Sequence, residues 1–286
     1  MSPGTQSIIT TEHWLTISGA RTRYLHAGSG PPLILLHGLL GYSFSWRYVI
    51  PTLCTQAEIY APDMPGVGLS DRPANLDCSL HACAMRLLEF MDQAGIRACD
   101  IVASSHGGAV GMLAATMAPN RFRSLVLVSP VNPWSTYRKH WIAFLKSPLV
   151  TPMLPGMALH VQLFHAFYLR RLFGDPRRIR PGTLEGYSVA LRRPGSFEYG
   201  LRVLRAWRQD MRELESLLPK IADIPALLIW GDRDAAVDPR SAQPLRKQFR
   251  DCRLLMFQGV GHLPYEEVPE EFNRVVSEFL RHRGET

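Results

Sequence analysis

The sequence predicts an open α/β fold: a mostly parallel central sheet flanked by helices, with an inserted helical cap. Three observations predict it. Short runs rich in Val, Ile and Leu recur at 33–36, 58–61, 100–103, 125–128, 226–230 and 254–257, without polar/apolar alternation. Strands buried on both faces read this way, as in a parallel sheet. Helix-like stretches such as 80–94 and 109–118 lie between them, and alternating strand and helix signals mark an α/β layer fold. The alternation then stops after Ser129-Pro130 and resumes at Ile224-Pro225.

Near the start, residues 14–26 alternate around Ser18-Gly19 and read as an antiparallel hairpin on the sheet edge. Between the two strand-rich parts, only helix-like segments are found, punctuated by Pro148, Pro152, Pro155-Gly156, Pro176, Pro181-Gly182 and Pro194-Gly195. Residues 1–130 and 211–286 therefore read as the core, and 131–210 as a cap lying over the sheet, in the size range of a small domain.

The charge divides at the same place. The chain of 286 residues carries a formal +7. Residues 131–210 hold 13 Lys and Arg against 4 Asp and Glu, a net +9, and the remainder is left at −2. A nucleic-acid reading needs a recognisable module as well as a basic patch, and none is present. Solvated arginines, an anionic substrate or peripheral contact with a membrane surface are the readings that remain. No apolar stretch reaches the roughly 18 residues of a membrane span, and the N-terminus lacks the pattern of a secretory signal. The five cysteines, 54, 78, 83, 99 and 252, are scattered and odd in number. Without a CxxC or a Cys/His cluster they suggest neither metal nor disulfide. The expectation is a cytoplasmic protein, monomer or homodimer, with no cofactor.

The chemistry points to residues 103–108, Ala-Ser-Ser-His-Gly-Gly, at a strand-to-helix junction. A nucleophile on a sharp turn needs small residues two before and two after it. With Ser105 central these are Ala103 and Gly107; with Ser104 central they are Val102 and His106, both bulky. Ser105 is the candidate. A serine needs a base, and the base an orienting acid. Gly231-Asp232-Arg233-Asp234 follows one late strand and Gly259-Val260-Gly261-His262 the last. Strand carboxyl ends share one edge of a parallel sheet, so Ser105, one of Asp232, Asp234 and Asp238, and His262 meet there.

Taken together, His37-Gly38 after a strand, the Asp63–Asp71 stretch DMPGVGLSD, the elbow, Gly231-Asp-Arg-Asp234 and Gly261-His262 make the chain resemble the α/β-hydrolase superfamily over nearly its whole length. The resemblance implies that Asp234 is the acid and that the backbone N–H groups of Leu39 and His106 form the oxyanion hole. It places 131–210 as the lid and sets His37, Gly38, Trp134 and Trp141 around the substrate, with His37 also a scaffold for its loop. It implies an ester or thioester hydrolase of the carboxylesterase type (EC 3.1.1), acting on a small hydrophobic acyl or aromatic substrate. A serine at the elbow speaks against the dehalogenase and epoxide hydrolase branches, which carry aspartate there. A carbon–carbon bond hydrolase of dienoic ring-cleavage products, a cofactor-free oxygenase and a non-catalytic ligand receptor are the alternatives within the fold.

Overall fold

The structure, a computed structural model, describes residues 9–135 and 161–282, with 161–165 described by backbone alone. Among these, eight strands form one sheet: β1 (Thr11–Ile17), β2 (Ala20–Ala27), β3 (Pro32–Leu36), β4 (Glu58–Pro62), β5 (Cys99–Ser104), β6 (Phe122–Val128), β7 (Ala226–Gly231) and β8 (Cys252–Phe257). Their order is β1-β2-β4-β3-β5-β6-β7-β8. The predicted hairpin is the antiparallel pair β1–β2, and β2 joins β4 antiparallel. All other pairings are parallel. Six strands thus deliver their carboxyl ends to one edge.

The helices are α1 (Ile50–Leu53), α2 (Leu80–Gln93), α3 (His106–Met117), α4 (Val161–Leu172), α5 (Thr183–Leu191), α6 (Ser196–Leu217), α7 (Ala242–Arg246), α8 (Pro264–Glu267) and α9 (Pro269–His282). Alternate strand residues separate two cores. Ile34, Leu36, Ile101, Ala103, Leu125, Leu127, Leu228 and Trp230 pack with α2 and α3. Leu33, Leu35, Val102, Val126, Val128, Leu227 and Ile229 pack with Trp46, Tyr265 and α9 on the other face. This is the period of two expected of strands covered on both sides. β8 is the exception: as an edge strand it is only half buried.

Each layer helix shows its cause in sequence. Ser79 caps α2, its side chain accepting the Ala82 N–H at 3.2 Å, and Leu80, Cys83, Ala84, Leu87, Phe90 and Met91 give the buried stripe. α3 is buried on every side from His106 to Thr116, which its small and apolar residues allow.

Between β6 and β7 the described residues are helical, α4 to α6, as expected of a cap. The boundary drawn at 210 falls inside α6. α6 runs unbroken to Leu217, because its buried stripe, Tyr199, Val203, Asp210, Met211 and Leu214, continues across that point. Tyr199 and Val203 in its first half and Met211 and Leu214 in its second all belong to one core cluster. Trp134 is half buried against that cluster; Trp141 lies outside the described residues.

Candidate active site

Ser105 sits between β5 and α3 with φ 53° and ψ −121°, a conformation that costs a non-glycine residue about 1–3 kcal/mol. The surroundings hold it there. Its N–H donates to the Val128 carbonyl at 2.9 Å, and its carbonyl accepts from Gly108 at 3.0 Å and Val131 at 3.0 Å. The register test has a steric basis. A Cβ on Gly107 would lie 2.2 Å from the His37 carbonyl oxygen, and one on Gly38 would lie 3.0 Å from Ser105 Cβ. Both glycines let the elbow and the loop after β3 touch. The neighbouring Ser104 is turned inward: it is fully buried, and its Oγ donates to Tyr265 Oη at 3.3 Å.

Of the three candidate acids, one meets the histidine. Asp234 Oδ2 accepts His262 Nδ1–H at 2.8 Å. Its Oδ1 accepts the N–H groups of Ala236 at 2.8 Å and Val237 at 2.9 Å. The Asp234 side chain has no exposed surface and His262 is 4% exposed. Asp232 instead accepts the Gly259 N–H at 2.7 Å, and Asp238 binds Arg240 at the start of a short 3₁₀ turn. A fixed Nδ1–H donor leaves Nε2 as the free base nitrogen. Tyr265, three residues on from His262, reaches the elbow through Ser104. Among the described residues no hydrogen bond joins Ser105 Oγ to His262. Such bonds commonly tighten only when substrate binds.

The loop after β3 is built by His37. Its Nδ1 donates to the Gly38 carbonyl at 2.9 Å, and its Nε2 accepts the Met64 N–H at 3.2 Å. Both ring nitrogens are spent on backbone and the residue is 5% exposed, so the ring braces its loop. A turn follows, closed by Gly41 N–H to the Gly38 carbonyl at 3.1 Å, with Leu40 at φ 60°. Among the described residues the N–H groups of Leu39 and His106 have no hydrogen-bond partner. His106 opens α3, where the first N–H groups are always free of helical partners. The His106 N–H follows Ser105 directly in the chain, and Gly38, the residue before Leu39, lies against Ser105. The His106 ring is 7% exposed. Burial, and then the neighbouring His37, push its pKa down to about 4, so it is neutral near pH 7.

Sequence reasoning missed the buried charges around this edge. Glu266 takes Arg47 at 2.5 and 2.7 Å and Tyr187 Oη at 2.7 Å. Its neighbour Glu267 is also buried. In sequence both look like solvated residues at a helix start, and no spacing singles them out. Among the described residues no group of three or more His, Cys, Asp or Glu side chains is arranged to hold a metal ion. No described helix is long and apolar enough to cross a membrane.

Comparison with known proteins agrees with this architecture. The chain is 27% identical over 289 residues to haloalkane dehalogenase 2 of Mycobacterium tuberculosis, covering 97% of each chain. It is 27% identical over 252 residues to the pimeloyl-[acyl-carrier protein] methyl ester esterase of Nitrosomonas europaea, covering 86% of this chain and 94% of the relative. Among solved structures, a bacterial membrane phospholipase A, described as a virulence factor, superposes with a TM-score of 0.80 at 26% identity, over 95% of this chain and 86% of the other. The alpha/beta hydrolase family matches residues 33–275, which take in the elbow, Asp234 and His262. The chain belongs to the alpha/beta hydrolase family.

Proposed function

We propose that the protein is a serine hydrolase that cleaves a carboxylic ester or thioester of a small hydrophobic acyl or aromatic substrate. The observation that carries this reading is the buried Asp234–His262 pair on the same sheet edge as a serine held at φ 53°. Ser105 Oγ attacks the carbonyl carbon and His262 Nε2 takes its proton. Asp234 holds the tautomer and stabilises the imidazolium. The oxygen of the tetrahedral intermediate faces the N–H groups of Leu39 and His106. His262 then protonates the leaving alcohol or thiol, and water, deprotonated by the same imidazole, releases the acid.

Family membership supports hydrolase chemistry, and two relatives favour the ester bond. One is a methyl ester esterase and one a phospholipase. The dehalogenase is equally similar, but a serine elbow supplies an alkoxide for acyl transfer rather than a carboxylate for displacement at carbon. The cap supports a lipophilic substrate met at an anionic surface. α4 has no acidic residue, and beside exposed Arg170 and Arg171 it exposes Phe167 (60%) and Tyr168 (44%). Aromatic and basic residues on one helix suit a lipid–water interface.

p-Nitrophenyl esters of increasing acyl length test the reading. Turnover that is lost in Ser105→Ala supports it. Turnover that survives in that variant refutes it, as does silence toward every ester together with cleavage of a dienoic carbon–carbon substrate.

A further inference from the structure

Glu267 lies five residues beyond His262 and has no place in the proposed triad. Its side chain has no exposed surface. Oε2 accepts the Gly261 N–H at 2.9 Å and the Gly174 N–H at 2.9 Å. Oε1 accepts the Asp175 N–H at 2.9 Å and an Arg178 guanidinium N–H at 3.2 Å. Four donors fill the roughly four lone-pair sites of a carboxylate. A buried carboxylate is tolerated only when it is matched in this way.

The four donors come from two segments that are far apart in sequence. Gly261 immediately precedes His262. Gly174, Asp175 and Arg178 follow α4, in the cap. The two segments also meet directly. The His262 N–H donates to the Leu172 carbonyl at 2.6 Å. A Cβ on Gly174 would lie 2.6 Å from the Gly259 carbonyl oxygen, and one on Gly261 would lie 2.2 Å from the Leu172 carbonyl oxygen. On its other flank the loop packs on the acid-bearing turn: a Cβ on Gly231 would fall 2.1 Å from the Val260 carbonyl oxygen. The backbone that carries the imidazole is held between the acid turn and the end of a cap helix, with one carboxylate as the clasp.

We propose that Glu267 is a positioning residue: it fixes the backbone at Gly261, sets the His262 imidazole over Ser105, and ties that position to the cap end of α4. The inference rests on reading His262 as the general base. It makes the end of the cap part of the chemical step, so that displacing residues 174–178 slows proton transfer even with substrate contacts intact.

Glu267→Gln is the main test. Whichever way the amide turns, its NH₂ faces two donors, either those of Gly174 and Gly261 or those of Asp175 and Arg178, so half the clasp opens. Reactive geometry is steep in distance, and a shift of about 1 Å costs about 100-fold. The expected result is a folded variant whose labelling by a fluorophosphonate probe slows about 10- to 100-fold. The kcat for a p-nitrophenyl ester falls by the same factor, KM stays within about 3-fold, and the NMR signal of the His262 Nδ1 proton shifts or broadens. Gly174→Ala presses the same loop from the cap side and gives the same pattern. It also serves if Glu267→Gln does not fold. The double variant is slower by less than the product of the two effects, because both act through one loop.

Labelling and an imidazole signal unchanged from wild type in both variants overturn the proposal. So does a rise in KM at unchanged kcat, which would place Glu267 in binding. Wild-type protein that reacts with the probe somewhere other than Ser105 would instead overturn the triad. In that case the imidazole signal alone decides whether Glu267 holds His262.

Discussion

Asp234→Asn is the substitution whose outcome the structure dictates most closely. The native carboxylate divides its work: Oδ1 receives two backbone N–H groups, from Ala236 and Val237, and Oδ2 receives His262 Nδ1–H. An asparagine has one oxygen for these two duties. With the oxygen kept at the backbone side, its NH₂ faces His262 Nδ1 and forces the proton onto Nε2, the nitrogen that must accept from Ser105. With the amide turned over, the tautomer is right but the buried Val237 N–H and the part-buried Ala236 N–H lose their acceptor and meet an NH₂. For the buried Val237 N–H alone that costs about 1–3 kcal/mol. The wrong tautomer therefore dominates. Loss of the orienting carboxylate in a Ser-His-Asp site lowers kcat about 10⁴-fold, or about 5.5 kcal/mol of barrier. Ester turnover and probe labelling of Asp234→Asn, with thermal melting as the check on folding, measure this. Asp232→Asn and Asp238→Asn stay within about 3-fold of wild type, since neither side chain touches His262. A folded Asp234→Asn that keeps a tenth of the wild-type kcat would refute the reasoning.

Three further outcomes follow from the same geometry. Gly107→Ala drives a methyl to 2.2 Å from the His37 carbonyl oxygen, and since backbone must move, the variant is destabilised by about 1–3 kcal/mol or more, read by urea denaturation. His106 is held near pKa 4 in the fold against about 6.5 in the unfolded chain. Between pH 6.5 and 4 the unfolded chain binds the extra proton, so stability falls as pH falls through that window, by about 3 kcal/mol for this group. His106→Gln removes that share of the slope, and an unchanged acid-denaturation profile would contradict the assignment. The cap, with Phe167, Tyr168, Arg170 and Arg171 exposed on α4, is expected to co-sediment the protein with phosphatidylglycerol vesicles at low salt, and Arg170→Glu/Arg171→Glu to abolish it. Equal binding to uncharged vesicles would remove the electrostatic part.

How far the sequence could be read depended on whether a feature repeats along the chain or is assembled from distant pieces. The inner strands announce themselves because residues such as Ile101 and Val102 are buried on opposite faces, which leaves a continuous apolar run. β8 shows the limit: the same kind of run, Leu254 to Met256, is half buried at an edge. Composition changes near Asp210, whereas the stripe through Met211 and Leu214 keeps α6 continuous across it. The preference for Ser105 over Ser104 comes from the small residues on either side of the turn, and the close approach at Gly107 gives that rule its steric reason. The choice among Asp232, Asp234 and Asp238 was not legible from residue type alone, and needed either the resemblance or the observed bond to His262. Glu266 and Glu267 were invisible. A buried carboxylate is defined by its donors, and theirs come from Arg47, Tyr187 and residues 174–178, which sequence spacing does not connect.

The central claim is that Ser105 is an activated nucleophile. Reacting the intact protein with a fluorophosphonate and mapping the adduct by mass spectrometry tests it most directly. The account predicts one phosphonylated site, Ser105, lost in Ser105→Ala and slowed in His262→Ala. An adduct on Ser104 or elsewhere, or labelling of Ser105 at the same rate without His262, would contradict it.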